Sequence, residues 1–548
     1  MAVTTALRVA HVLAVVTVFL FAYGGFIYGF VPDWLPTRIK TALEIDSPVA
    51  GRYQAWRNST KIGVHTHYRW NLFNITNAPA VIDDGALPEI ADIGPFVFEY
   101  VKWRPEDSVA WLPNGTLRYY NKYYYRFLPE ESAPLTLDMN ITSVNMGLLA
   151  LIRHGVTSTG MARAVEDALA QTGEQIISTR PARDWLYGYY DETMLLINNT
   201  YCNDAFAGNI TYWMLCQIAF KLGVEQVPTF AAINANDDPS GPLPMNEIYT
   251  GAAASSTQPT PPAKSMLSYT MWEGRRKLDW WFSDEANMIN GTDGASYHPG
   301  LEEGESITAF VGSLHRSITL CYEGKADIEG LHTYFYGLCD SEKQPLSINP
   351  WNKGFNMTER GIMPTPPTLM LPYFNSEPYF NDDDGSRCLV QLPSPAPALE
   401  YLRTRVYVEP MSGQTVKARK AMQVNVDFRP YIMDGDTKPC SITTGLNSTY
   451  LPVAWMNEYM TLSDAFADVL FDRVILPKDA LFGSAAAAFV LAGVSLITVV
   501  VLCVREAKKR VEGGSDITHG IASGAVDDSI QQRVGLVSKD ERSYSSSA

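Results

Sequence analysis

Residues 9–31 read VAHVLAVVTVFLFAYGGFIYGFV, 23 residues without a formally charged side chain. A second uncharged run of 25 residues extends from Ala480 to Val504. A hydrocarbon layer about 30 Å thick takes roughly 20 helical residues, so both runs are long enough to span it. A cleaved signal peptide is the alternative for the first run. Its apolar stretch would be about 7–15 residues and end at a small-residue cleavage site. Here the run continues into Tyr28, Phe30 and Pro32 with no A-x-A step, which favours an uncleaved anchor. A buried core helix is the alternative for the second run. Arg505, Lys508, Lys509 and Arg510 follow it directly and read as a stop-transfer flank. The basic cluster places the tail in the cytosol. The expected order is a cytosolic segment 1–8, a transmembrane helix 9–31, a lumenal or extracellular domain 32–479, a transmembrane helix 480–504 and a cytosolic tail 505–548.

The segment between the runs has the marks of an oxidising, glycosylating compartment. Asn58, Asn74, Asn114, Asn140, Asn198, Asn209, Asn290, Asn356 and Asn447 each open an N-x-S/T sequon, and none lies outside that segment. Cys202, Cys216, Cys321, Cys339, Cys388 and Cys440 lie there too, an even number suited to disulfides. Fifteen pairings of six cysteines are open. The short loop favours Cys202–Cys216 and a hairpin favours Cys321–Cys339, leaving Cys388–Cys440 by elimination. Cys503, at the cytosolic end of the second run, reads either as one more apolar membrane residue or as a palmitoylation candidate. The chain carries a net −16, and Arg8 and a neutral tail leave −17 for the middle segment. That charge speaks against nucleic-acid binding, which needs a basic face, and aromatics at 11% speak against disorder.

PFVFEYV (95–101), LRYYNKYYYRF (117–127), RVYVEP (405–410) and the alternating KARKAMQVNVDF (417–428) predict strands. The tyrosines at 119, 120, 123, 124 and 125 read as packed or cross-strand sheet residues, with a ligand stack as the alternative. Residues 140–225 break the pattern. Ile141, Val144, Leu148 and Leu151 recur at helical spacing and predict a helix over Ile141–His154. Thr157–Thr159 predict the cap of a second helix, Met161–Gln171, with Gly173 after it. TYWMLCQIAFKL (211–222) predicts a third helix, either buried among the others or an exposed contact for a partner, lipid particle or membrane.

Catalytic signatures are absent from the sequence: there is no G-x-S-x-G, H-E-x-x-H, P-loop or dinucleotide-binding glycine pattern. Asp382-Asp383-Asp384 lacks the remaining ligand spacing of a calcium loop. No enzyme activity, cofactor or metal is expected.

Residues 70–100, WNLFNITNAPAVIDDGALPEIADIGPFVFEY, resemble the opening of the class B scavenger receptor family. More segments similar to that family follow in order: RPARDWLYGYYDE (180–192), MINGTDGASYHPG (288–300), HRSITLCYEG (315–324), IEGLHTYFYGL (328–338), GIMPTPPTLMLPYF (361–374), YVEPMSGQTVKARKAMQVNV (407–426) and LPVAWMN (451–457). The resemblance implies a membrane-anchored, β-rich α+β protein. Its ectodomain would be a distorted antiparallel β-barrel with an apical helical bundle, flanked by two transmembrane helices. It would be one large unit, against the several domains that 548 residues alone suggest. The resemblance further implies an apolar tunnel for fatty acids, sterols or phospholipids, and an apex that binds lipoproteins or protein partners. Candidate ligand contacts at that apex are Leu148, Leu151, His154, Glu166, Leu169, Trp213 and Phe220. The sequence departs from the family in three ways, the first being an extra local insertion with Cys202, Asn209 and Cys216. Scavenging members use apical lysines, whereas VEDALAQTGEQ (165–175) has Glu166, Asp167 and Glu174 and no Lys. Ala286 and His315 stand where vertebrate members place two cysteines, so their disulfide map does not carry over.

The resulting expectation is a receptor and lipid transporter whose partners are lipids, lipoproteins or a protein ligand, with no nucleic acid; a homo-oligomer is compatible with it. An endolysosomal sorting receptor for a protein cargo is the nearest alternative, and a ligand-gated two-span channel a more distant one. The tail has no clear sorting signal, which leans the reading to the plasma membrane over endosome or lysosome. For the channel, the second run offers only Gly483, Ser484, Gly493, Ser495 and Thr498, which suit helix packing better than a pore.

Overall fold

The structure, a computed structural model, describes residues 5–48, 51–58, 64–202, 215–218, 243–252, 264–369, 373–381, 390–432, 441–443, 446, 449–470, 472 and 475–521. The chain divides into two compact units, one formed by Met1–Pro32 with Asp479–Ala548 and one by Asp33–Lys478.

In the first unit, helices Thr5–Leu43 and Leu476–Ile521 carry stretches long and apolar enough to cross a membrane. Their polar side chains meet across the pair. Thr17 Oγ1 donates to Ser495 Oγ at 2.9 Å, Ser495 Oγ to the Leu13 carbonyl at 3.2 Å, and the Tyr23 hydroxyl lies 2.8 Å from Ser484 Oγ. Ala485, Ala488 and Ala492 are buried at one-turn and two-turn spacing, the small-residue stripe that lets apolar helices approach. A Cβ on Gly24 would lie 2.7 Å from the Phe489 ring, so close approach needs glycine there. Gly483 and Gly493 have no such neighbour.

The second unit is built on one eleven-stranded antiparallel sheet. Its strands are β1 (Val64–Ile75), β2 (Ile90–Trp103), β3 (Lys122–Phe127), β4 (Ile307–Val311), β5 (Arg316–Ile328), β6 (Leu331–Leu338), β7 (Met363–Pro364), β8 (Tyr373–Ser376), β9 (Arg405–Glu409), β10 (Gln414–Asp427) and β11 (Tyr450–Leu462). The order is β4-β5-β6-β9-β10-β11-β1-β2-β3, with β8 added to β10 and β7 to β8. Aromatic and β-branched content drives these strands. LRYYNKYYYRF, expected as one strand, is two: Thr116–Tyr119 belongs to a separate four-stranded sheet, and only Lys122–Phe127 joins the large one.

The barrel expectation needs correction. Among the described residues the only ladder of β3 is with β2 and the only ladder of β4 is with β5, so no ladder closes the sheet. The sheet curls around a cavity whose lining also includes residues 272–273 and 293–297. Single bridges tie the latter stretch to the sheet, Thr292 with Ala309 and Ser296 with Gln414.

Long strands let one sheet serve two purposes. β1, β10 and β11 have 12–14 residues, about 40 Å each. One half packs a solid core of Phe73, Ile75, Val424, Val426, Leu451 and Val453 under short helices. The other half faces the cavity described below. Among these helices are α1 (Met146–Ala150), α2 (Thr159–Thr172) and α3 (Glu192–Tyr201). The predicted helix Ile141–His154 is corrected at its start: Asn140–Val144 is a strand paired with Ile177–Pro181. Asn145 then caps α1, its Oδ1 accepting from Leu148 N at 3.0 Å. Leu151–Gly155 extends α1 as a π-turn. Ser158 caps α2, and Gly173 closes it at φ 73°. Of the predicted helix Thr211–Leu222, only residues 215–218 are described, and they are helical.

Among the described residues there are two disulfides, Cys202–Cys216 and Cys321–Cys339. Cys388 and Cys440 lie outside the described residues.

Candidate functional site

Side chains alternate across a strand, so a curled sheet aims every second residue inward. Val64, Thr66 and Tyr68 of β1, Tyr100 and Lys102 of β2, and Tyr123 and Tyr125 of β3 line a common cavity. Residues on β4, β5, β9, β10 and β11 line the same space, among them Ala309, Ile318, Val406, Ala418 and Met460. The cavity measures about 860 Å³, within the range of sites that bury a small ligand. Ile39 and Leu43, from the last turns of the N-terminal helix, belong to its lining.

Tyrosines form much of one wall. Tyr68, Tyr100 and Tyr125 have ring centroids 4.9–5.5 Å apart, and Tyr123 lies 5.8 Å from Tyr100. These are cross-strand neighbours, Tyr100 opposite Tyr125 and Lys102 opposite Tyr123, and they also line the cavity. Burial raises the Tyr68 and Tyr100 hydroxyls well above the usual range, and the nearby Glu458 carboxylate adds to it. Lys420 joins Glu458 at 3.6 Å and donates to Ser313 Oγ at 2.9 Å.

A second charged node lies on the same wall. Asp293 accepts from Lys102 at 3.3 Å and Arg104 at 3.1 Å. Burial pushes the Asp293 carboxyl up, but the two cations more than offset it and hold it at about 2. The Glu273 carboxyl is raised by burial, Arg275 offsetting only part of it.

His315 completes the lining. It sits at φ 52° between Trp272 and Trp280, 6.2 and 5.2 Å between ring centroids. Burial lowers its pKa from 6.5 to about 4. The folded value lies below the unfolded one, so the folded state resists protonation. Stability is therefore fully present above pH ~6.5 and declines as pH falls toward ~4. For a half-buried ring this amounts to roughly 2 kcal/mol after allowing for solvent screening. His315→Asn keeps a residue tolerant of positive φ. It should flatten this part of the pH dependence. Thermal unfolding at pH 7.5 and pH 4.5 checks it; an unaltered wild-type slope in the variant would refute the assignment.

The predicted apical contacts separate into three groups. Leu148 and Leu151 are fully buried in the core and present no outer surface. His154 and Glu166 are half-buried, and Leu169 packs partly on the core. Burial, then the Arg153 charge, lowers the His154 pKa. Trp213 and Phe220 lie outside the described residues. The sequence does not single out the cavity wall, because its inward residues Val64, Thr66 and Tyr68 mix apolar and polar side chains. Of the sequons, Asn58, Asn74, Asn114, Asn140, Asn198, Asn290 and Asn356 are described and none is buried; Asn209 and Asn447 lie outside the described residues. Cys503 is exposed on the C-terminal helix. Among the described residues no cluster of His, Cys, Asp and Glu is arranged to hold a metal ion.

A family model described as CD36 family matches residues 14–504. Sensory neuron membrane protein 2 of Manduca sexta is 25% identical over 496 residues, 86% of this chain and 90% of the relative. Scavenger receptor class B member 1 of Sus scrofa is 23% identical over 475 residues, 86% and 85% of the two chains. Lysosome membrane protein 2 of Homo sapiens is 25% identical over 417 residues, 74% and 77%.

Proposed function

The chain belongs to the CD36 family, and on that premise we propose that it is a two-span glycoprotein receptor that takes up lipid and carries it through its interior without covalent chemistry. The single observation that supports this most is the cavity of about 860 Å³ walled by one face of the sheet. A lipid tail that stays between apolar walls avoids the cost of hydrating it, about 0.8 kcal/mol per CH₂. A sheltered path therefore lowers the barrier for a monomer leaving a particle for a bilayer. The helical segment around α1, α2 and α3 would form the apex where a lipoprotein or protein ligand docks. Its acidic side chains Glu166, Asp167 and Glu174 favour a partner that is not polyanionic.

The channel alternative is disfavoured by the pairing of the two apolar helices. Ser484 and Ser495, two of the three hydroxyls of that run, meet the facing helix, and the third, Thr498, donates to the Val494 carbonyl of its own helix. A lysosomal setting draws support from the relative named lysosome membrane protein 2. Mass spectrometry of lipids co-purifying with the full-length protein tests the central reading. Stoichiometric retained lipid is the expected result, and a lipid-free protein that also takes up none on addition would overturn it.

A further inference from the structure

Asn375, on β8, lines the cavity. Its side chain is 97% buried, at 3% exposure, and its Oδ1 has no hydrogen-bond partner among the described residues. The amides beside it are satisfied. Gln423 Nε2 donates to Asn425 Oδ1 at 2.7 Å, Gln423 Oε1 accepts from Tyr379 N at 2.8 Å, and Asn425 Nδ2 donates to Ser376 Oγ at 3.0 Å. Asn375 instead stands opposite Val424 and Met363 in register, which leaves its carboxamide among apolar neighbours. A buried acceptor without a donor is costly and rare, and a ligand that brings the donor removes the cost.

The charges on the wall narrow that ligand. Among the described lining residues, Lys102, Arg104 and Lys420 each lie within 4 Å of a carboxylate, Asp293 for the first two and Glu458 for the third. A free carboxylate entering this space meets cations that already lie beside carboxylates. It also carries no proton to give to Asn375 Oδ1, whereas a hydroxyl donates one and can accept from the carboxamide NH₂ in return.

We infer that Asn375 is the polar anchor of the cavity and selects a neutral amphiphile with a hydroxyl head over the same chain ending in a carboxylate. The inference rests on the lipid-carrying reading above. Three probes of equal chain length separate the contributions: 1-hexadecanol, hexadecanoate at mildly alkaline pH, and hexadecane. They are offered to the purified full-length protein and scored by displacement of a pyrene-labelled alkane. The alcohol should bind about tenfold more tightly than hexadecanoate. Asn375→Leu should weaken the alcohol about tenfold and leave hexadecane unchanged. Asn375→Asp, which keeps an acceptor, should hold the alcohol within about threefold of wild type. Equal wild-type affinity for alcohol and hexadecanoate would overturn the anchor, as would an Asn375→Leu protein with the wild-type ratio of alcohol to hexadecane. If the leucine variant does not fold, the wild-type comparison and the aspartate variant still decide. Failure of all three probes to displace the label from wild type would instead bring down the lipid-carrying reading, and the anchor with it.

Discussion

Ala309→Trp combined with Ala418→Trp is expected to abolish lipid transfer while leaving a folded, glycosylated protein. Both alanines line the cavity, on β4 and β10 respectively. An indole at each site would occupy space that a lipid chain needs. If the obstruction excludes as few as four methylenes, the lost transfer energy is about 3 kcal/mol, more than a hundredfold in occupancy. Overpacking normally costs about 1–3 kcal/mol per site in a well-packed core. At these positions the new ring has a cavity to enter, so the cost falls toward the low end. Uptake of a fluorescent lipid by cells, normalised to surface protein, is the measurement. Uptake near the wild-type level by a well-folded double variant would rule out passage through the interior and leave docking on the outer surface.

The blocked space was the part of the fold that the sequence hid best. Inward residues of a solid core are apolar and outward ones polar, and strand prediction depends on that contrast. A cavity wall obeys neither rule. Val64, Thr66 and Tyr68 on β1, or Tyr100 and Lys102 on β2, read as an ordinary half-solvated face. Other features were legible because one short-range force governs them. The two apolar runs are set by length and composition alone. The Cys321–Cys339 pairing is legible because consecutive strands β5 and β6 bring their ends together, Cys321 standing opposite Gly337. The misplaced helix start at Ile141 has a local cause. Ile141, Val144, Leu148 and Leu151 keep helical spacing across a junction where a strand ends and a helix begins. The signal that separates them is Asn145, whose side chain caps α1. β-branched Ile141, Thr142 and Val144 before it favour the extended chain.

Glu247→Leu is expected to cost about 3 kcal/mol of stability. Glu247 is fully buried, at 0% exposure, in the four-stranded sheet. Its carboxylate accepts from Arg118 Nη2 at 2.9 Å, Thr116 Oγ1 at 3.0 Å, Thr270 Oγ1 at 3.0 Å and Arg276 Nη2 at 3.3 Å. Burial alone would raise its pKa. The hydrogen bonds from Arg118, Thr270 and Thr116, with the Arg276 charge, more than offset this and leave it below the usual value. Removing one partner of a buried pair typically costs about 3–5 kcal/mol because the other charge is stranded. Here Arg118 and Arg276 are 38% and 60% exposed and can turn to water, which places the loss at the lower end. Thr116, 1% exposed, cannot do so, although its single hydroxyl proton has Asn114 Oδ1, 2.7 Å away, as the other acceptor. Glu247→Gln keeps the shape and an acceptor, and should lose about 1 kcal/mol. Because the folded carboxyl has the lower pKa, its stabilisation is complete above pH ~4.5 and is lost as pH falls through the folded value. The gap between wild type and Glu247→Gln should therefore be full at pH 7 and narrow near pH 3. Chemical denaturation of the full-length protein in detergent at both pH values measures it. A gap that persists unchanged in acid would mean that Glu247 contributes through packing, with its charge supplying none of the stability.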